Sequence, residues 1–259
     1  MIDIHTHILP GLDDGADSTQ DAVQMARAAW DEGITTIIAT PHHANGAYMN
    51  PADKVITQVE LLNERLLAEG IPIKVLPGQE IRVHNDLLDA WSRRELLTLA
   101  STDYMLIELP GHSIPKSITS LIHELAVVGI QPIIAHPERN IEIINNPNIL
   151  AELIEAGAWT QVTTHSLLGG FGARVQKTAW SLCKKGLIHL VSSDAHHVSR
   201  RGFRLKEAYE RISTEIGTEW AEYFEMNASR LIDNKSFSSP PKQPNKSKIL
   251  RKITRFFQK

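Results

Sequence analysis

A chain of 259 residues with 42% hydrophobic and 22% charged side chains has room for one sizeable hydrophobic core, which excludes wholesale disorder and a fibrous architecture. The single cysteine, Cys183, excludes an internal disulfide and a thiolate cluster for zinc or iron–sulfur, so any metal must sit on imidazoles and carboxylates. No stretch approaches the roughly 18 apolar residues of a membrane span, and Met1 to His7 lacks the charged and apolar regions of a signal peptide, so the expected location is the cytoplasm.

Short runs rich in isoleucine and valine alternate with segments of helical period, the pattern of parallel strands joined by crossover helices. The first strand is predicted over residues 2–5. Ser18 with Asp21 three residues later has the spacing of a capping box, after which Ala22, Met25, Ala26 and Ala29 share one helical face until Gly33. Strands follow at 35–40, 73–77, 104–109, 131–135, 159–163 and 187–192, making seven, with helices over 55–68, 117–128, 149–155 and 173–184. A glycine stands soon after the end of each helix, where a left-handed residue closes the last turn. The pattern predicts an α/β fold in which the strands close into a barrel.

From about Lys235 the composition changes to a proline-containing, basic stretch. Residues 235–259 hold 8 of the 27 Lys and Arg and none of the 30 acids, so residues 1–234 carry 19 basic against 30 acidic side chains, a formal −11. This divides the chain into a body, 1–234, and a basic tail, 235–259. Within the tail Ile249, Leu250, Ile253, Phe256 and Phe257 form one apolar side of a short amphipathic segment, suited to an anionic membrane surface or an acidic partner; a merely solubilising tail fits the composition equally. The acidic body makes nucleic acid an unexpected partner.

In strand after strand the last residue, or one of the next few, could bind a metal. His5 and His7 alternate in an extended segment and so point the same way. Asp194 and His196 repeat the spacing after the last strand, and His42, Glu80, Glu108 and His136 each follow an apolar run. Asp14 lies in the loop after His7, where turn formation is the alternative reading of Asp13-Asp14-Gly15. Singly, these groups suit rim salt bridges, capping or half-buried imidazoles. As a set at the ends of parallel strands, they point to one barrel mouth and a shared metal centre, because that mouth is where such barrels carry catalytic groups. Imidazole and carboxylate ligands suit manganese, iron or zinc, and such a cluster lowers the pKa of a bound water and polarises an oxyanion substrate.

His5-Thr-His7, Asp14-Gly15, Pro41-His42, Gly78-Gln-Glu80, Glu108-Leu-Pro, Ala135-His136-Pro-Glu-Arg139 and Ser193-Asp194-Ala-His196 together resemble the polymerase-and-histidinol-phosphatase (PHP) superfamily. More closely, the chain resembles its bacterial manganese-dependent tyrosine-protein phosphatases, which act on tyrosine kinases controlling capsule and exopolysaccharide synthesis. The similarity runs over residues 1 to about 232. It implies a distorted, TIM-like (β/α)7 barrel and three Mn2+ ions. His5, His7, Glu80 and Asp194 would hold one, Glu80, Glu108 and His136 a second, and Asp14, His42 and His196 the third. It also implies phosphate contacts from Arg139 and Arg201, whose guanidinium forks fit phosphoryl oxygens; a surface salt bridge is the other reading of each. The implied reaction is hydrolysis of phosphotyrosine by a metal-bridging hydroxide without a phosphoenzyme, with a tyrosine kinase as the partner protein. Other phosphoesterase substrates of the superfamily, histidinol phosphate or a nucleotide, and a noncatalytic metal-stabilised binding module are the alternatives.

Overall fold

The computed structural model of the protein describes residues 1–241. The amphipathic segment expected at 249–257 lies outside the described residues. Among the described residues, no helix is long and apolar enough to cross a membrane.

Strand β1 (Ile2–Thr6) leads to helix α1 (Thr19–Asp31), which begins at the expected capping box. The Asp21 amide donates to Ser18 Oγ at 3.2 Å and the Ser18 amide to Asp21 Oδ2 at 3.1 Å, so two otherwise orphaned helix-start donors are satisfied. The second predicted strand, 35–40, is β2 (Thr36–Ala39), and its stave resumes beyond the prediction as β3 (His42–His43), the two being separated at Pro41, which has no amide to continue the ladder. After α2 (Ala52–Ala68), the third stave is likewise broken, into β4 (Lys74–Pro77) and β5 (Glu80–Arg82). The break is at Gly78, where a Cβ would lie 2.9 Å from Ile38 Cγ2 and 3.0 Å from Leu99 Cδ2, so a larger residue would press on these core side chains.

The short α3 (Leu87–Ser92) precedes β6 (Tyr104–Glu108), and α4 (Ile118–Val127) precedes β7 (Gln131–Ala135). Helices α5 (Ile141–Asn145) and α6 (Asn148–Glu155) lead to β8 (Trp159–Thr163). Next come α7 (Thr164–Leu167), α8 (Ala173–Lys184) and β9 (Leu190–Ser192). The last strand starts three residues later than its apolar run. The amide of Leu187 is used instead to close α8, donating to Leu182 O at 3.0 Å across Gly186, whose φ is +73°. Two amphipathic helices not among the segments predicted from the sequence follow, α9 (Leu205–Glu215) and α10 (Thr218–Ile232).

All the ladders are parallel, in the orders β1-β2-β4 and β3-β5-β6-β7-β8-β9. The two sheets share the broken staves, and β1 meets the chain after β9 through Asp194 N to His5 O (2.9 Å) and His7 N to Ala195 O (2.8 Å). The result is the predicted barrel of seven staves, with two of them interrupted. Its interior is filled by Ile4, Ile38, Leu106, Ile133 and Leu190, while the helices cover the outside with a second apolar layer.

Packing does not stop where the composition changes. Lys235 O accepts from Tyr104 Oη at 2.9 Å, and the Phe237 ring stacks on Tyr104 with 4.5 Å between centroids and meets Trp159 edge-on at 4.8 Å. Tyr104 and Trp159 begin β6 and β8, so Phe237 closes the end of the barrel opposite the strand C-termini.

His189 is buried beside this end. The Thr160 hydroxyl donates to Leu187 O at 2.6 Å, so it accepts from His189 Nδ1 at 2.9 Å, and burial pushes the imidazole down to about 4. A histidine in the unfolded chain titrates near 6.5, so unfolding takes up a proton between pH 6.5 and 4. The stabilisation is therefore complete above pH 6.5 and is lost as pH falls toward 4. Chemical denaturation of wild type and His189→Gln should give a stability difference that shifts against wild type by about 2–3 kcal/mol between pH 7.5 and 4.5. A difference independent of pH would show that the buried imidazole is not the cause.

Candidate active site and metal centre

The C-terminal ends of the strands bring His5, His7, Asp14, His42, Glu80, Glu108, His136, Asp194 and His196 into four overlapping groups. These are His7, Asp14, His42 and His196; His5, His7 and Glu80; His5, His136 and Asp194; and His42, Glu80 and Glu108. Within each group the ligand atoms lie within 4.8 Å of one another. Glu80 stands at the centre and is fully buried. Its Oε1 lies 2.6 Å from His136 Nε2, and its Oε2 lies 2.9 Å from His42 Nδ1, 3.3 Å from His5 Nε2 and 3.4 Å from His7 Nε2. Asp194 Oδ1 faces the same two Nε2 atoms at 3.4 and 3.3 Å. Asp14 is the most exposed member, with its Oδ1 3.5 Å from Nε2 of both His42 and His196.

The donor set fits cations. His5 Nε2 and His7 Nε2 point at each other across 3.2 Å. His42 Nδ1, Glu80 Oε2, Asp194 Oδ1 and His196 Nε2 are buried without a hydrogen-bond partner, although each has an oppositely polarised neighbour within 3.5 Å. Such atoms are costly to leave unsatisfied, and a shared positive ion would satisfy them together.

Backbone strain and neighbouring side chains fix the positions of the ligands. His136 and Asp194 both adopt left-handed backbone angles, with φ of +33° and +56°. For residues with a Cβ this costs of order 1–3 kcal/mol each, a strain that clusters at functional sites. His7 is oriented by Asp13, whose Oδ2 accepts from His7 Nδ1 at 2.6 Å and from the His42 amide at 2.9 Å. Gly15 makes this turn possible, since a Cβ there would lie 2.0 Å from His7 O. Gln161 Oε1 similarly lies 3.3 Å from His5 Nδ1 and accepts from the His136 amide.

Burial opposes the charge on Glu80, but the surrounding His5, His42 and His136 outweigh it and hold the carboxyl well below its ordinary range. Burial likewise opposes ionisation of Asp194, and Arg139, His5 and Arg201 overcome it. Glu108 moves upward, through burial and then through its neighbour Glu80, despite the opposing Arg82. Burial, followed by Arg139, pushes His136 down to about 4 and so keeps it neutral. His7 goes the other way because Asp13 outweighs its burial.

Both predicted arginines reach the mouth. Arg139 Nη2 donates to Asp194 Oδ2 at 2.5 Å and to Thr163 Oγ1 at 3.0 Å, and Arg201 Nη2 donates to the same Asp194 oxygen. Nε of each guanidinium is buried without a partner. Phe171, in a Gly169-Gly170-Phe171-Gly172 loop, lies against both, with its ring centre 4.2 Å from Arg139 Cζ and 5.6 Å from Arg201 Cζ.

Asp13, Gln161 and Glu138 escaped the sequence reading. Glu138 is buried and accepts from the Thr163 amide at 3.1 Å, bracing the chain beside Arg139. Asp13 is the most consequential, because orienting partners of metal-binding imidazoles typically carry 10–100-fold in affinity. Asp13→Asn should weaken metal binding by about that factor in a titration of the metal-free protein. Unaltered affinity would show that His7 needs no such support.

Residues 1–233 match the family described as Capsular polysaccharide synthesis, CpsB/CapC. Tyrosine-protein phosphatase YwqE of Bacillus subtilis (strain 168) is 45% identical over 257 residues, covering 99% of this chain and all of that protein. The putative tyrosine-protein phosphatase CapC of Staphylococcus aureus is 35% identical, over 96% of this chain and 98% of its own length. A crystal structure from a study of YwqE and of CpsB from Streptococcus pneumoniae, described as unique metal-dependent tyrosine phosphatases, superimposes with a TM-score of 0.90. It covers 95% of this chain and 99% of that one, at 45% identity. A mutant organophosphorus hydrolase shares only the fold, at TM-score 0.55 and 14% identity, over 89% of this chain and 92% of its own. With the family match spanning nearly all the described residues and the barrel superimposing on a solved relative, the chain belongs to the CpsB/CapC family of capsular polysaccharide synthesis proteins.

Proposed function

We propose that the protein is a metal-dependent protein-tyrosine phosphatase that hydrolyses phosphotyrosine on a protein, with a tyrosine kinase of capsule or exopolysaccharide synthesis as its target. The observation that carries the reading is the convergence of nine ligand-type side chains and two guanidinium groups on one mouth, with buried atoms of both kinds left unpartnered. The full-length likeness to tyrosine-protein phosphatases supports the choice of substrate class.

His5, His7, Glu80 and Asp194 would hold one ion, Glu80, Glu108 and His136 a second, and Asp14, His42 and His196 a third, with Mn2+ as the ion at each. Bound there, divalent ions would supply an acidified water and positive charge toward phosphoryl oxygens. The protein's own contribution is to position the substrate. Asp194 Oδ2 anchors Arg139 and Arg201 side by side, and their remaining donors suit the nonbridging oxygens of a phosphoryl group, where charge must be balanced during transfer. Tyrosine departs as a phenolate of pKa about 10, which relaxes the need for a general acid.

A thiol mechanism does not fit the fold. Cys183 is fully buried in α8, and burial pushes its thiol far above the ordinary value, so it is not an available nucleophile. Treatment with a chelator should abolish hydrolysis of a phosphotyrosyl peptide, and added Mn2+ should restore it, whereas Cys183→Ala should keep turnover within about twofold of wild type. Turnover that survives chelation and metal analysis showing no ion would reject the reading. Preference for histidinol phosphate would redirect it within the superfamily, and a metal-loaded but inert wild type would favour a binding module.

A further inference from the structure

Phe171 is a large aromatic at the mouth that neither offers a metal ligand nor fills the core. It retains 36% exposure, although its loop directly follows α7 at the C-terminal end of β8, where the other site groups gather. Glycines flank it on both sides. Gly169 and Gly172 have φ of +87° and +86°, and a Cβ on Gly170 would lie 2.9 Å from His165 Cδ2, so the loop lies tight against the barrel while the phenyl ring projects from it. The ring does not pack into the core. Instead its described ring contacts are with the guanidinium groups of Arg139 and Arg201 and the imidazole of His165, 5.9 Å away.

We infer that Phe171 is a specificity residue that recognises the aromatic ring of the substrate, while the arginines beneath it recognise the phosphate. The inference rests on the phosphotyrosine reading above. Its geometric basis is the juxtaposition of an exposed ring with two cations that have donors to spare. Aromatic pairs favour centroid separations of roughly 4.5–7 Å, offset or edge to face. A phenyl group one ester oxygen away from a phosphorus held by Arg139 can meet Phe171 within that span, because Phe171 lies 4.2 Å from the guanidinium carbon. Alkyl phosphates such as phosphoserine have no ring to place there. The loop therefore selects for aryl esters through a contact that is separate from the chemistry at phosphorus.

The test separates ring recognition from arginine positioning. With metal-loaded full-length enzyme, Phe171→Ala should raise KM for a phosphotyrosyl peptide about tenfold and lower kcat less than about threefold. Competitive inhibition by inorganic phosphate, which has no ring, should stay within about twofold of wild type. Phe171→Tyr should restore most of the lost affinity, and a thermal melt checks that each variant is folded. An unchanged KM would overturn the inference. So would phosphate inhibition that weakens in parallel with KM, since Phe171 would then serve only to hold the arginines. Failure of the underlying reading looks different: wild type itself would leave phosphotyrosine intact.

Discussion

Glu80→Gln is expected to reduce hydrolysis of phosphotyrosine by more than about 10³-fold, the largest loss from any single isosteric change in this site. The carboxylate is within 3.4 Å of imidazole nitrogens from His5, His7, His42 and His136, so it is the common neighbour of groups contributed by two strands, β1 and β3, and by the segments that follow β1 and β7. An amide keeps the shape but removes the negative charge and turns one acceptor into a donor aimed at imidazole nitrogens. Removing an orienting partner usually costs 10–100-fold; removing the central anion should exceed that, because Glu80 would be a ligand to two of the ions at once and an amide is a far weaker ligand than a carboxylate. The measurement is kcat/KM together with bound metal per chain. Activity within tenfold of wild type, with full metal occupancy, would mean that the site does not depend on a central carboxylate.

Arg139→Lys should lower kcat/KM by about 10²–10³-fold while leaving metal content nearly unchanged. Lysine retains the charge, so the variant isolates what the fork does. Arg139 uses one nitrogen, Nη2, to reach both Asp194 and Thr163. An ammonium on a flexible stem cannot hold Asp194 and a phosphoryl oxygen in the same fixed plane. Arg201→Lys should lose less, because Arg201 is the more exposed of the two at 27% against 21% and is described with Asp194 alone as its side-chain anchor. Loss of metal in parallel with activity would reassign Arg139 to supporting Asp194, and near-normal kcat/KM would remove it from phosphate recognition altogether.

Much of this architecture is legible in the sequence, for reasons that differ between elements. The capping box at Ser18 and the glycines at 33, 70, 129, 157 and 186 act locally, through the backbone of their own turn, and all five glycines have positive φ. The metal-type residues are legible because their position relative to the strand ends is itself a sequence pattern. Asp13 is not, since it adjoins Asp14 in a run that reads equally well as a turn. Only the fold shows that Asp13 faces inward to His7 while Asp14 stays half exposed toward His42 and His196. Gln161 and Phe171 carry no metal-ligand or motif signal, and their significance comes from neighbours distant in sequence. The interruptions at Pro41 and Gly78 were visible as residues, but their effect depends on how neighbouring staves approach each other.

The Phe237 plug fixes the side of the barrel to which the last described residues run. The last described residues run past Gly186, where Pro240 lies 3.7 Å from the position of a Cβ, at the closed rear of the barrel. A support or fusion partner joined directly after residue 241 would therefore grip the molecule from behind. The catalytic opening would then look outward into solution, free to receive a phosphorylated chain that comes from elsewhere.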